Sequence, residues 1–171
     1  MIMHTRLLTP GDVDAFRNLR LSGIEESPGV AWASYAEESA QTLEQTRQRL
    51  VATPYQMVFG VFNGEHLVAI SGFKRESMCQ ISHRGNIWGL YVAPEARGQG
   101  VADKLIEGLL REVRGIPGLV QVTLVVSSDN EAARALYAKY GFIKTGVDHR
   151  SVCIDGHYHD EDRMVLLLDA D

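Results

Sequence analysis

Residues 87–113 read IWGLYVAPEARGQGVADKLIEGLLREV, an apolar strand, a glycine-bearing loop and an amphipathic helix in direct succession. A strand that feeds a helix through Arg97, Gly98, Gln99 and Gly100 aims backbone N–H groups, and the positive end of the helix dipole, at whatever lies above the loop. That is a seat for an anion, a phosphate above all. Beyond it, Val101, Leu105, Ile106, Leu109 and Val113 recur at helical spacing with Asp103, Lys104, Glu107 and Arg111 between them, which predicts a helix laid by one face on a sheet. Within the strand, Gly89 predicts a bulge or a close approach of a ligand to the backbone.

Working outward, Leu119–Val126 is continuous and rich in β-branched residues, as a buried strand requires, and Asp129 or Asn130 caps a helix from Glu131 to Tyr140 that Gly141 ends. Strand, helix, strand, helix makes the two central strands parallel, joined by a right-handed crossover. Phe142–Cys153 and His157–Leu168 flank Asp155-Gly156, a hairpin turn. Toward the N-terminus, Ile2–Leu8 is a first strand, and Thr9-Pro10-Gly11-Asp12 opens a helix that carries Val13, Phe16 and Leu19 on one face to Ser22 or beyond. Ser27-Pro28-Gly29 breaks that pattern. Ser34 with Glu37 forms a capping box ahead of a polar, exposed helix anchored by Leu43 and Leu50. Gln56–Phe62 and His66–Phe73 pair through Asn63-Gly64, and a polar loop around Arg75–Gln80 leads to the strand Asn86–Val92. The fold expected is α/β in the mixed α+β sense, one mixed sheet with helices on its faces, in a single domain over residues 1–171.

Composition narrows the function classes. A net charge of −5 argues against general nucleic-acid binding, while a few oriented amides still suffice for a phosphorylated ligand. Cys79 and Cys153 form neither a disulfide framework nor a metal spacing, which predicts a reducing, cytoplasmic setting. MIMHTRLLTPGD has no long apolar core, and the longest aliphatic run, Met164–Leu168, is far too short for a bilayer. His157, His159 and Glu161 share one face of a strand, but directly after an Asp-Gly turn they read as an exposed hairpin, and no metal is expected. Trp88 and Tyr91 read as core aromatics, Tyr140 as packing, and Glu25-Glu26 and Glu37-Glu38 as solvated surface.

Spacing also removes two nucleotide readings of the loop. A dinucleotide fingerprint requires a third glycine where Asp103 stands, and a P-loop requires a lysine followed by serine or threonine. Taken alone, Arg97–Ala102 is also an ordinary strand-to-helix turn. The segment resembles the acetyl-CoA signature of the GNAT superfamily of N-acetyltransferases, Arg/Gln-x-x-Gly-x-Gly/Ala, matched by Arg97, Gly100 and Ala102. A second family segment is similar to Asn130, Ala133, Leu136, Tyr137, Gly141 and Phe142. Two motifs in order, about thirty residues apart, are far more specific than either alone.

The resemblance implies a mostly antiparallel sheet with two central parallel strands that splay around acetyl-CoA. It implies that backbone groups of Leu90, Tyr91 and Val92 pair with the pantetheine arm. It further implies that the amides of Arg97, Gly98, Gln99, Gly100, Val101 and Ala102 hold the pyrophosphate, that Asn130 contacts the CoA arm, and that Tyr137 lies near the sulfur as the acid that protonates the leaving thiolate. Without it, Asn130 is a helix cap and Tyr137 a core tyrosine. Relatives that place a glutamate on the central strand differ from Trp88-Gly89-Leu90 here, so the base stays open among Glu25, Glu26, His83, His149 and Asp160. The activity implied is direct transfer of acetyl from acetyl-CoA to a primary amine in a ternary complex, with a small amine ahead of a protein N-terminus. The alternative is a non-catalytic acyl-CoA-binding or sensor protein. Family likeness also allows a homodimer through the terminal strands.

Overall fold

The computed structural model describes residues 2–168. The elements follow in the order β1 (Met3–Leu7), α1 (Val13–Glu26), α2 (Tyr35–Ser39), α3 (Leu43–Arg49), β2 (Gln56–Asn63), β3 (His66–Arg75), β4 (Arg84–Val92), α4 (Val101–Arg114), β5 (Gln121–Ser127), α5 (Glu131–Lys139), β6 (Ile143–Ile154) and β7 (His157–Leu167). The strands form one seven-stranded sheet ordered β1-β2-β3-β4-β5-β7-β6. Every neighbouring pair is antiparallel except β4 and β5, the two central parallel strands expected from the crossover.

Local signals set most boundaries. Asp12 closes a capping box with Thr9 ahead of α1, and the Ser34–Glu37 box opens α2. A second box, Thr42–Gln45, interrupts the polar stretch and starts α3, so the single helix expected there is two. Two adjacent boxes give the backbone two starting points, and Arg17 fixes the join by donating to the carbonyls of Ser39 (2.7 Å) and Gln41 (2.8 Å). Leu50 is fully buried, whereas the other expected anchor, Leu43, is exposed. The β2–β3 turn also lies one residue further on than expected. Asn63 still pairs with His66, leaving Gly64 and Glu65 as the turn, with Gly64 at φ +61°.

Because β2, β3 and β4 are covered on both faces, their sequences run apolar without alternation. One face carries α4, whose Leu105, Ile106 and Leu109 are fully buried against β2, β3 and β5 and against Tyr137 of α5. The opposite face carries α1, with Phe16 and Leu50 packed on Val58, Ile70 and Tyr91. Gly108 lets α4 settle on the sheet, since a Cβ there would lie 2.2 Å from the Phe59 ring. Replacing Gly108 by Ala gains about 1 kcal/mol of helix propensity but overpacks a buried ring, which typically costs about 1–3 kcal/mol. The expected outcome is a net loss of stability, read as a Tm lowered by a few degrees in a thermal melt; an unchanged or raised Tm would contradict this packing.

Candidate active site

Strands β4 and β5 pair only at Arg84–Gln121, Gly85–Val122 and Asn86–Thr123. Where they part, Asn86 Nδ2 donates to the carbonyl (3.2 Å) and hydroxyl (3.1 Å) of Thr123, and the Thr123 hydroxyl donates to the Gly85 carbonyl (3.3 Å). Beyond this staple the inner edge of β4 has no partner in the register. The gap opens into a cleft of about 1610 Å³ that passes through the sheet and is lined from both faces. Gly89, Leu90 and Ser71 drop out of the β3–β4 pairing, and Gly89 sits at φ +66°, the bulge expected of that glycine. The extra residue changes the facing of the strand. Trp88 and Tyr91, three apart, both face α1, while Ile87, Leu90 and Val92 face α4.

Of the residues expected to hold CoA, Leu90, Tyr91, Val92, Arg97, Ala102, Asn130 and Tyr137 line the cleft; Gly98, Gln99, Gly100 and Val101 do not. Gly98 and Gly100 have φ of +75° and +72°, and a Cβ at either would meet open space, so backbone conformation rather than room selects glycine. Gln99 folds back to the Glu95 carbonyl (3.2 Å), and Val101 is buried in the core. Among the described residues, no side chain caps the first turn of α4, so its amides keep free donors. Asp103 would repel an anion there, but Lys139 Nζ (2.6 Å) and the Tyr140 hydroxyl (2.7 Å) hold its carboxylate and keep it ionised well below the usual range. Tyr140 is therefore a polar bridge between α5 and α4 as well as packing. These uncapped amides and the open strand edge fit the phosphates and extended arm of CoA.

Asn130 caps α5, its Oδ1 accepting from Ala133 N at 3.0 Å, and it lines the cleft as well. Tyr137 is buried with its ring edge on Phe142 (centroids 5.7 Å apart) and lines the cleft; burial drives its phenol far above the ordinary value, so it stays protonated.

The Arg97 side chain turns away from the loop's own amides. It reaches Glu26 at 2.7 Å and the Val92 carbonyl at 3.2 Å, and it lies 5.7 Å from the Tyr91 ring. The Tyr91 hydroxyl donates to the other oxygen of Glu26. Burial, with Glu26 beside it, pushes the Tyr91 phenol up to about 12, while Tyr91 and Arg97 together hold the Glu26 carboxyl below its usual range. Glu26 is thus a strut between α1 and the loop rather than free surface. None of the five candidate bases Glu25, Glu26, His83, His149 and Asp160 lines the main cleft. Asp160 lies in a smaller adjoining pocket, bound to His149 (3.0 Å) and the Arg150 amide (2.8 Å).

The carboxylates that do line the cleft include two that sequence reasoning left as surface or hairpin, Glu38 and Glu161, both buried. Glu38 lies between Arg20 (3.4 Å) and Arg49 (2.8 Å). Glu161 uses Oε1 to accept from Ser151 (2.5 Å) and from Trp32 (3.1 Å); among the described residues, no hydrogen bond reaches its Oε2. Only pairing with β5 and the bend of β6 at Arg150, φ +53°, bring Glu161 and Ser151 here, and no local motif marks them. Among the described residues, no group of three or more histidines, cysteines or acids is disposed to hold a metal, and no helix is long and apolar enough to cross a membrane.

This arrangement is the fold and cleft of acetyl-CoA-dependent acyltransferases. The chain belongs to the acetyltransferase (GNAT) family, whose model matches residues 22–142. It is 31% identical over 144 residues to a mycothiol acetyltransferase of Brachybacterium faecium, covering 76% of this chain and 42% of that protein. It is 34% identical over 85 residues to a spermidine N(1)-acetyltransferase of Vibrio cholerae, covering 50% of this chain and 49% of the relative. The matched stretches are thus under half the length of both relatives. In fold it matches yncA, a putative acetyltransferase from Salmonella typhimurium solved with its cofactor acetyl-CoA, with a TM-score of 0.85 at 20% identity, covering 100% of this chain and 96% of that one.

Asp162, next to Glu161, ties α5 to the sheet. It is buried, accepts from Ser128 Oγ (2.6 Å) and lies 3.5 Å from both Arg134 and Lys144. The Ser128 hydrogen bond foremost, then the two cations, hold its carboxyl below the usual range against the effect of burial. A depressed carboxyl stabilises the fold above its unfolded value of about 4 and loses that contribution as pH falls through the folded value. Asp162→Asn is expected to lower Tm by roughly 5 °C at pH 7 and by much less at pH 3. An equal drop at both pH values in calorimetry would show that charge plays no part.

Proposed function

We propose that this chain, working as one domain, moves acetyl from acetyl-CoA to the primary amine of a small acceptor by direct attack in a ternary complex. The observation that carries this reading is the cleft between β4 and β5, which joins the anion seat and Tyr137 on one face to a polar chamber on the other. The relative named for spermidine supports a small amine as acceptor.

In this reading the amides of Arg97–Ala102 hold the pyrophosphate, and the open backbone edge of Leu90, Tyr91 and Val92 pairs with the pantetheine arm. Asn130 contacts the arm through Nδ2, since its Oδ1 is spent on the helix cap. Bound acetyl-CoA supplies a thioester activated toward nitrogen. Amines are mostly protonated near neutrality, so a base must first take a proton, and Glu161 Oε2 receives it. A backbone N–H of the bulged segment meets the charge that grows on the carbonyl oxygen. Tyr137 Oη then gives its proton to the departing sulfur. The second proton shed by nitrogen restores the phenol through solvent, and Glu161 returns its own to water. The products are an amide and a thiol, and the protein is unchanged.

Thiol release from acetyl-CoA across a panel of small amines is the direct test. CoA binding in calorimetry with no release for any amine would instead support a non-catalytic acyl-CoA-binding protein. Tyr137→Phe, which keeps the ring against Phe142, is expected to lower kcat by on the order of 10²-fold while CoA affinity stays within about twofold; equal loss of both would remove the acid role. Glu161→Gln is expected to slow transfer at pH 7 by a similar factor and to recover partly at high pH, where free amine is abundant.

A further inference from the structure

The α1–α3 half of the cleft contains more positive charge than its own carboxylates neutralise. Arg20 of α1 is more than nine-tenths buried, and Arg49 of α3 stands beside it; both guanidiniums lie 5.2 Å from the Trp88 ring. They share one acid, Glu38, through the same oxygen, Oε1. Arg20 Nε lies 3.4 Å from that oxygen but has no hydrogen-bond partner among the described residues and is shut off from solvent. Two cations against one anion leave a net positive charge on a pair in which Arg20 is largely shut off from water, and a buried donor without an acceptor is costly. An aromatic face attracts a guanidinium but accepts no conventional hydrogen bond.

CoA phosphates do not account for this pair. Arg20, Arg49 and Trp88 pack with Phe16 on the α1 face, whereas the uncapped amides, Asn130 and Tyr137 lie on the α4–α5 face. Arg20 is also placed at the reacting region, because a Cβ on Gly89, the bulge residue of β4, would come within 2.6 Å of Arg20 Nη1. The whole cleft shares the bias. Its lysine and arginines outnumber its acids seven to four, in a chain whose net charge is −5.

We propose, building on the acetyl-transfer reading, that the acceptor is an amino acid: a small amine that also carries a carboxylate, which Arg20 and Arg49 bind against Trp88 while the amine faces Glu161. A planar guanidinium fork matches a carboxylate in shape and charge. A second anion on the pair leaves the local charge balanced and offers the buried Nε an acceptor. Diamines lack such a group and bring a second cation to an already positive chamber, so they fit this half of the cleft poorly.

The test compares α- and ω-amino acids with their carboxamides, and with putrescine and spermidine, by thiol release from acetyl-CoA. The amide's amine is the less basic and so the more abundant free base at pH 7, which sets intrinsic reactivity against the expected order. At least one acid is expected to exceed its own amide by about tenfold or more in kcat/KM, and Arg49→Gln is expected to bring that ratio toward one. Amides or diamines preferred throughout, or a ratio that Arg49→Gln leaves intact, would overturn the proposal. Where Arg49→Gln does not fold, Arg49→Lys keeps the charge, loses the fork and is expected to reduce the ratio in the same direction. Should no amine release thiol, the transfer reading fails separately. Trp88 fluorescence titrated with N-acetylglycine and N-acetylglycinamide then decides the anion site, where saturable binding of the acid alone, weakened in Arg49→Gln, sustains it and equal or absent binding of the two overturns it.

Discussion

Three residue pairs, Arg84–Asn86 against Gln121–Thr123, hold β4 to β5, and the rest of the structure depends on where that pairing stops. Continued pairing would close the sheet and leave no passage between its faces. The two strands part without unravelling because each is secured on its other side, β4 to β3 and β5 to β7 along its full length. The Asn86–Thr123 hydrogen bonds set the point of divergence. Backbone groups that a closed sheet would satisfy are turned instead toward the cleft.

The bulge at Gly89 acts on the same strand and divides its side chains between two tasks. With one extra residue, Trp88 and Tyr91 both reach the α1 face, where one carries the arginine pair and the other anchors Glu26. Leu90 and Val92 turn to the α4 face and join the core beneath the anion seat. Arg97 links the halves, since its pairing with Glu26 joins the loop above α4 to the end of α1 on the opposite side of the sheet. The arginine of the glycine loop thus has a structural task.

Much of the α4–α5 side was legible because its signals are local. Glycines at positive φ, an uncapped helix start, an asparagine cap and apolar periodicity each act within a few residues, and their order along the chain implied the parallel pair. The doubled capping box that splits α2 from α3 was equally local and readable, through Thr42 and Gln45. The α1–α3 side of the cleft was not. Glu38 sits in a polar helix and Glu161 in a run of histidines and acids, contexts that read as solvated, yet both are buried against partners distant in sequence.

The sequence by itself determined the family, the mixed sheet with its parallel pair and the glycine loop ahead of α4, because those rest on backbone conformation and near-neighbour spacing. Only the tertiary structure decided which charges line the cleft. Burial of Glu38 between Arg20 and Arg49, and of Glu161 beside Trp32 and Ser151, depends on how α1, α3, the loop before α2 and the β6–β7 hairpin meet around the cleft. The physical reason is that desolvation gives a charged side chain its chemical character, and desolvation is a property of the packed elements rather than of the residue or its neighbours in sequence.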